Sequence, residues 1–382
     1  MEKIVFNAPS KIHLSFGAVK MLESVKSDFG SRMMLVTEKK LLDSDGFLYI
    51  KEQAAGIGID LVVFSDISRT TTTYSIIEAA ELAKVSRAQV IIGFGGVRAL
   101  SAAKAVSAGA GFSGNFYNLL SGVVPPFLPL PYVEIPGTFR NPFMLTENFY
   151  VVDARTGGIR IAGIRNSQPA YVLMDPECYS SLPGKFRLSV LMDTFLESIE
   201  GYFSKTTNYI SDSFFLKSIA LIVSHLKDLV EDPDNPQNLM NAAKAGLSSA
   251  LGLVSGTTGL GTAAAFEMSH RFAVPRSAAA AVLLPYVLEY GLKMVPDRVS
   301  RMGPILGENI KGLSVIAAAD RVIETLRVSV GVQNLPGRLS ELGLDAEKLS
   351  EVSGRIAEYP MIKQLPGEIS VEEIYSFLKE AL

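Results

Sequence analysis

The feature that most constrains this chain is a change of pattern near residue 185. Before it, short apolar runs at Met33–Thr37, Leu61–Phe64, Val90–Gly93, Tyr132–Ile135 and Tyr171–Met174 alternate with helix-length segments. Runs without a polar face read as strands covered on both sides, and strands separated by helices read as a parallel sheet. The spacing predicts a doubly wound, Rossmann-like α/β domain over residues 1–185. Between the second and third runs, Ser75 and Glu78 stand at a capping-box spacing that predicts a helix start. From Phe186 onward the strand signal fades, and Leu188, Leu191, Met192, Phe195 and Ile199 recur at helical spacing. An all-α domain is expected over residues 186–382, punctuated by Glu231–Pro236 and by Pro336–Gly337. No internal repeat is evident.

Composition closes off several classes. Lys+Arg number 36 against 39 Asp+Glu, a formal charge of −3, so the basic surface that nucleic-acid binding needs is missing. With 48% hydrophobic and 20% charged residues among 382, the chain can bury large cores. Cys178 is the single cysteine, which excludes an internal disulfide and a thiolate metal cluster and is expected to be a buried small hydrophobe. The only histidines, His13, His225 and His270, are too few for a site of several imidazoles. His13 and His225 lie in strand-like and helical contexts and read as structural or exposed. The opening residues lack a signal-peptide core, so the expected location is the cytoplasm. The longest uncharged stretch, Ala105–Val133, carries Pro125, Pro126, Pro129 and Pro131, which argues against a membrane span and for a helix end, a loop and a strand approach.

The third apolar run leads into Gly93, Gly95, Gly96, Val97 and Arg98, and then into the helical segment Ala99–Lys104. A strand, a glycine turn and a helix N-terminus form an anion site, because free backbone N–H groups and the helix dipole point at a phosphate. Many glycine turns after strands only reverse the chain.

The order of landmarks around this turn resembles the iron-containing alcohol dehydrogenase family, which includes glycerol dehydrogenase and is related to dehydroquinate synthase. Ile12–Ala18 is similar to the family's opening strand and turn, Leu35–Glu38 to its first nucleotide strand, and Gly95–Lys104 to its phosphate loop and helix. Ile135–Thr138 is similar to the second nucleotide loop, Asp175–Pro183 to the interdomain junction, and Met192–Tyr202 to the first metal-binding helix. Leu284–Val287 and Leu335–Gly343 match later helical landmarks. The resemblance implies NAD or NADP and a divalent metal in a cleft between a Rossmann-like and a helical domain. There the metal lowers the pKa of the alcohol oxygen and hydride passes to the nicotinamide. It also implies a small alcohol or aldehyde as substrate and a homodimer, with no nucleic-acid or membrane partner.

On the resemblance, the cofactor-binding positions are Glu38, Gly95, Gly96, Arg98, Ser101 and Thr138. Several depart from the family pattern. Val97 stands where a third glycine is usual, and a β-branched residue resists positive φ. Arg98 replaces a serine and either pairs with phosphate or fills the site; Ser101 replaces an aspartate. Phe139, Arg140 and Phe143 add bulk to a loop that is small in the family. Glu38 stands where an acid meets the adenosine ribose.

The metal positions depart further, falling on Asp193, Glu197, Phe266 and Arg276, while the family's active-site histidine is kept as His270. Two arrangements remain open. In the preferred one, Arg276 takes the place and charge of the metal and is clamped by Asp193 and Glu197, because burying two carboxylates one turn apart without a cation is costly. In the other, Asp193, Glu197 and His270, with Glu267, form a carboxylate-rich metal site. The resulting expectation is an altered or metal-independent oxidoreductase using His270, Arg276, Asp193 and Glu197, with no divalent metal. Its rival is a non-catalytic homologue that serves as a binding or assembly module.

Overall fold

The computed structural model describes residues 4–67, 71–124, 128–331 and 335–382. The sequence run Thr70–Thr73 reads as a loop and helix start, and its first residue, Thr70, lies outside them. The chain divides into two compact units, Asn7–Leu182 and Pro183–Leu382, and the described residues before Asn7 belong to the second.

In the first unit β1 (Lys11–Leu14), β2 (Arg32–Val36), β3 (Asp60–Phe64), β4 (Val90–Gly95), β5 (Tyr132–Pro136) and β8 (Tyr171–Met174) form one sheet, while β6 (Asn148–Asp153) and β7 (Gly158–Gly163) form a separate hairpin. The sheet order is β1-β8-β5-β4-β2-β3, and every neighbouring pair is parallel. From β2 the chain moves outward to β3 and then returns to β4 on the opposite side. The winding direction therefore reverses between β2 and β4, and ligands of such sheets collect at the carboxyl ends of the strands at that reversal. β4, β5 and β8 are wholly buried, as expected of central strands with continuous apolar sequence.

The helices of this unit are α1 (Leu22–Phe29), α2 (Asp45–Gly56), α3 (Thr73–Val85), α4 (Val97–Ala110) and α5 (Phe116–Leu120). The capping box of α3 is formed by Thr72 and Ser75, not by Ser75 and Glu78: Thr72 holds the extended backbone of an N-cap and Ser75 returns the reciprocal hydrogen bond. Helix α4 is buried along nearly its whole length, because its Ala, Ser and Gly side chains admit both the sheet and the hairpin. That antiparallel hairpin and α5, which lies within the uncharged stretch, are the elements the sequence pattern did not predict. Cys178 is buried and free.

The second unit is helical throughout: α6 (Gly184–Phe203), α7 (Tyr209–Glu231), α8 (Pro236–Gly252), α9 (Leu260–Phe272), α10 (Arg276–Met294), α11 (Pro296–Arg301), α12 (Val315–Gly331), α13 (Ala346–Ala357) and α14 (Val371–Glu380). α6 is its central helix, buried continuously from Arg187 to Phe203. The alanine-rich start of α10 packs in the core, as its small residues predict. No single helix among the described residues is long and apolar enough to cross a membrane; α10 passes that test only together with Pro296–Leu306, which bends away by 112°.

The N-cap of helix α9 is Gly259, which has no side chain to cap the helix. Glu200 of α6 takes that role, accepting the N–H groups of Gly259 at 2.9 Å, Gly261 at 2.5 Å and Thr262 at 3.2 Å. Burial outweighs these bonds and raises its carboxyl to about 6 from 4.5. The fold thus favours the protonated acid, so the contribution of this group is full below pH 4.5 and is lost as pH rises through 6. At about 1.4 kcal/mol per unit, the wild type should lose about 2 kcal/mol across that window relative to Glu200→Gln. Urea unfolding of both proteins at pH 4.5 and 7 checks this, and parallel pH dependences would contradict it.

Candidate functional site

At the reversal point, β4 ends in Gly95 at φ +134°, a backbone that favours glycine. A Cβ at Gly95 would lie 2.9 Å from the Leu41 side chain, and one at Gly137 would lie 2.9 Å from Gly95 Cα, so the two turn tips touch. Their contact is sealed by the Gly137 N–H donating to the Gly95 carbonyl at 2.8 Å. A Cβ at Gly96 would meet nothing within 4 Å, so there is room above this turn. Val97 is the first residue of α4; among the described non-glycine residues only Arg87, Asn166 and Ala273 take positive φ, so the strain expected at Val97 does not arise.

Two expected cofactor residues meet each other. Arg98 reaches from the start of α4 to Glu38 beyond β2, with Nη1 3.4 Å from Oε2, and Lys40 Nζ lies 3.0 Å from the same oxygen. Arg98 also faces Tyr150, whose phenol burial pushes up to about 12 against the opposing guanidinium. Of the other two, the Ser101 hydroxyl accepts the N–H of Tyr150 on β6 at 3.3 Å, and the Thr138 hydroxyl donates locally to the Arg140 carbonyl at 3.2 Å. Phe139, Arg140 and Phe143 are buried, and Phe139 packs edge-to-face on Tyr179 at 5.9 Å.

Beneath this loop lies a polar network that the pattern reading passed over. Lys104, fully buried in α4, donates to the carbonyls of Phe143 at 2.5 Å, Thr146 at 2.7 Å and Asn148 at 3.2 Å. Burial lowers its ammonium to about 8 and raises the nearby Glu134 carboxyl, which accepts from Asn141 at 2.6 Å and from Tyr132 at 3.1 Å. The available signal was a lone charge within a run of small apolar residues, since only a buried, bonded lysine suits such a helix.

In the helical unit, Arg276 opens α10 and its Nη2 lies 3.2 Å from Asp193 Oδ2 on α6. The guanidinium lies 4.9 Å from the ring centroid of Phe266 on α9, a cation–π contact. Three of the four residues assigned to metal positions are therefore brought together. Asp193 and Glu197 are each 1% exposed, one turn apart on α6. His270 occupies the last turn of α9 with a buried Nδ1. Glu267 is turned to other partners, accepting from the Tyr359 hydroxyl at 2.9 Å and lying 3.6 Å from Arg271. His13 lies in β1 and stacks on Tyr171, and His225 lies 3.5 Å from Asp228 on the surface of α7.

The profile "Iron-containing alcohol dehydrogenase" matches residues 9–176, and "Fe-containing alcohol dehydrogenase family, C-terminal" matches residues 188–382. The chain belongs to the iron-containing alcohol dehydrogenase family. Among its relatives in this family, 1,3-propanediol dehydrogenase of Klebsiella pneumoniae is 25% identical over 82% of each chain. NAD-dependent methanol dehydrogenase of Bacillus methanolicus is 22% identical over 99% of each. The solved alcohol dehydrogenase from Oenococcus oeni superposes with a TM-score of 0.92 over the whole of both chains at 22% identity, a likeness of fold.

The iron-containing alcohol dehydrogenase family implies a metal, and two of the residues assigned to its positions are not metal ligands. Phe266 offers no lone pair and Arg276 brings a positive charge to Asp193. Among the described residues, no three His, Cys, Asp or Glu side chains gather as a metal would require.

Proposed function

We propose that this protein interconverts a small alcohol and its aldehyde with NAD or NADP, without a divalent metal. The Arg276–Asp193 ion pair carries this reading. A guanidinium held on a buried carboxylate, and itself only 20% exposed, stands as a fixed cation that would stabilise a developing alkoxide. A bound NAD or NADP would supply the hydride acceptor, and His270 would take the hydroxyl proton as the alcohol is oxidised to the aldehyde. Asp193 positions Arg276, and Glu197 adds negative charge on the same face of α6. The relatives' printed activities, propanediol and methanol dehydrogenation, support the substrate class, and the name of the second supports NAD. By family analogy the protein is expected to be a cytoplasmic homodimer.

A non-catalytic binding or assembly role has one specific observation in its favour, the Arg98–Glu38 pair across the nucleotide turn. Oxidation of NADH and NADPH by short aldehydes, with and without EDTA, tests the catalytic reading. Chelator-insensitive turnover that falls at least about a hundredfold in Arg276→Met is expected, as loss of an oxyanion-stabilising group costs about 10²–10³. Turnover abolished by EDTA and restored by a metal would overturn the metal-free reading. Absence of NADH and NADPH binding by calorimetry would favour the non-catalytic one.

A further inference from the structure

We infer that Arg98 is a latch on the nucleotide crevice, exchanging its partner Glu38 for the pyrophosphate of an incoming dinucleotide. This rests on the nucleotide-binding reading above. Arg98 springs from the α4 side of the reversal point and Glu38 from the β2 side, so their contact spans the place where a ligand of this fold would lie. The contact is loose, one guanidinium nitrogen at 3.4 Å from one oxygen, whereas an arginine fork engages phosphate through two short parallel bonds. Glu38 is 7% exposed and is not stranded when Arg98 leaves, because Lys40 holds the same oxygen at 3.0 Å. Arg98 itself is 29% exposed, and the space over Gly96 is open. The exchange replaces the bond to Glu38 by bonds to phosphate while Tyr150 still faces Arg98, so opening is cheap for a ligand with a pyrophosphate and expensive for one without. A released Glu38 then accepts from a ribose hydroxyl. The latch thus selects dinucleotides over nucleosides, and Arg98 is its specificity-determining residue.

Titration calorimetry of the full chain with NADH, ADP and adenosine tests this on Arg98→Ser, Arg98→Lys and Glu38→Gln. Arg98→Ser should weaken NADH and ADP by about ten- to hundredfold, the worth of a charge-assisted bond, and leave adenosine unchanged. Glu38→Gln, which frees Arg98, should raise the ratio of ADP to adenosine affinity. Should Arg98→Ser prove unfolded by circular dichroism, Arg98→Lys decides: it keeps the charge without the fork, and ADP should bind at least about threefold more weakly. ADP bound equally or more tightly without Arg98 would overturn the latch and make the side chain a simple filler of the crevice. If neither the wild type nor any variant binds NADH, NADPH or ADP, the nucleotide reading itself fails; wild-type binding that Arg98→Ser leaves unaltered defeats the latch alone.

Discussion

Replacing Arg276 by alanine is expected to cost about 3 kcal/mol of stability, near the lower end of the range for breaking a buried ion pair from one side. Asp193 is 1% exposed while Arg276 retains 20%, so the carboxylate loses its guanidinium partner and water reaches it poorly. The cation–π contact with Phe266 is lost as well. A double-mutant cycle with Asp193→Asn separates pairing from packing: the two substitutions together should cost less than their sum by about 1–3 kcal/mol. Urea unfolding with coincident fluorescence and circular dichroism provides the measurement. Strict additivity would mean that the 3.2 Å contact contributes nothing and that Arg276 acts only through its stem.

A second large effect is expected at Lys104. Lys104→Met keeps the volume but removes the donor from the carbonyls of Phe143, Thr146 and Asn148 and the cation from beside Glu134. Breaking this buried network should cost about 3–5 kcal/mol, a large share of the 5–15 kcal/mol that holds an ordinary domain together. Adding Glu134→Gln should recover part of the loss, because the second substitution removes the carboxylate that the first deprived of its cation. A variant as stable as wild type by urea titration, or a double variant worse than the sum of its parts, would show that the network does not act as a unit.

The architecture was legible because its signals are local. The apolar runs at Met33, Leu61, Val90, Tyr132 and Tyr171 correspond to β2, β3, β4, β5 and β8, and the helical periodicity after Phe186 corresponds to α6 and its successors. Misreadings came where one local pattern had to be chosen over another. Thr72 and Ser75 form the capping box because the threonine turns into the helix three residues before the motif assigned at Ser75. The β6–β7 hairpin escaped although Phe149–Val152 is a continuous strand-prone run, because its partner Gly158–Gly163 is short, glycine-flanked and mostly half-buried and carries no such run. Glu200 could be suspected only once the N-cap of α9 was known to be a glycine.

The sequence by itself determined the fold class and the family, and it set a carboxylate at 193, an aromatic at 266 and a cation at 276. These follow from periodicity and ordered motifs, which depend on neighbours along the chain. Which charges meet was decided by the tertiary structure, although the resemblance already suggests Asp193 for Arg276. Arg276 with Asp193, Arg98 with Glu38 and Lys104 with the 143–148 carbonyls are separated by 39 to 83 residues in sequence. A charge's partner is fixed by geometry within a few ångströms, because burial makes an unpaired charge intolerable while leaving the choice of partner to the packing.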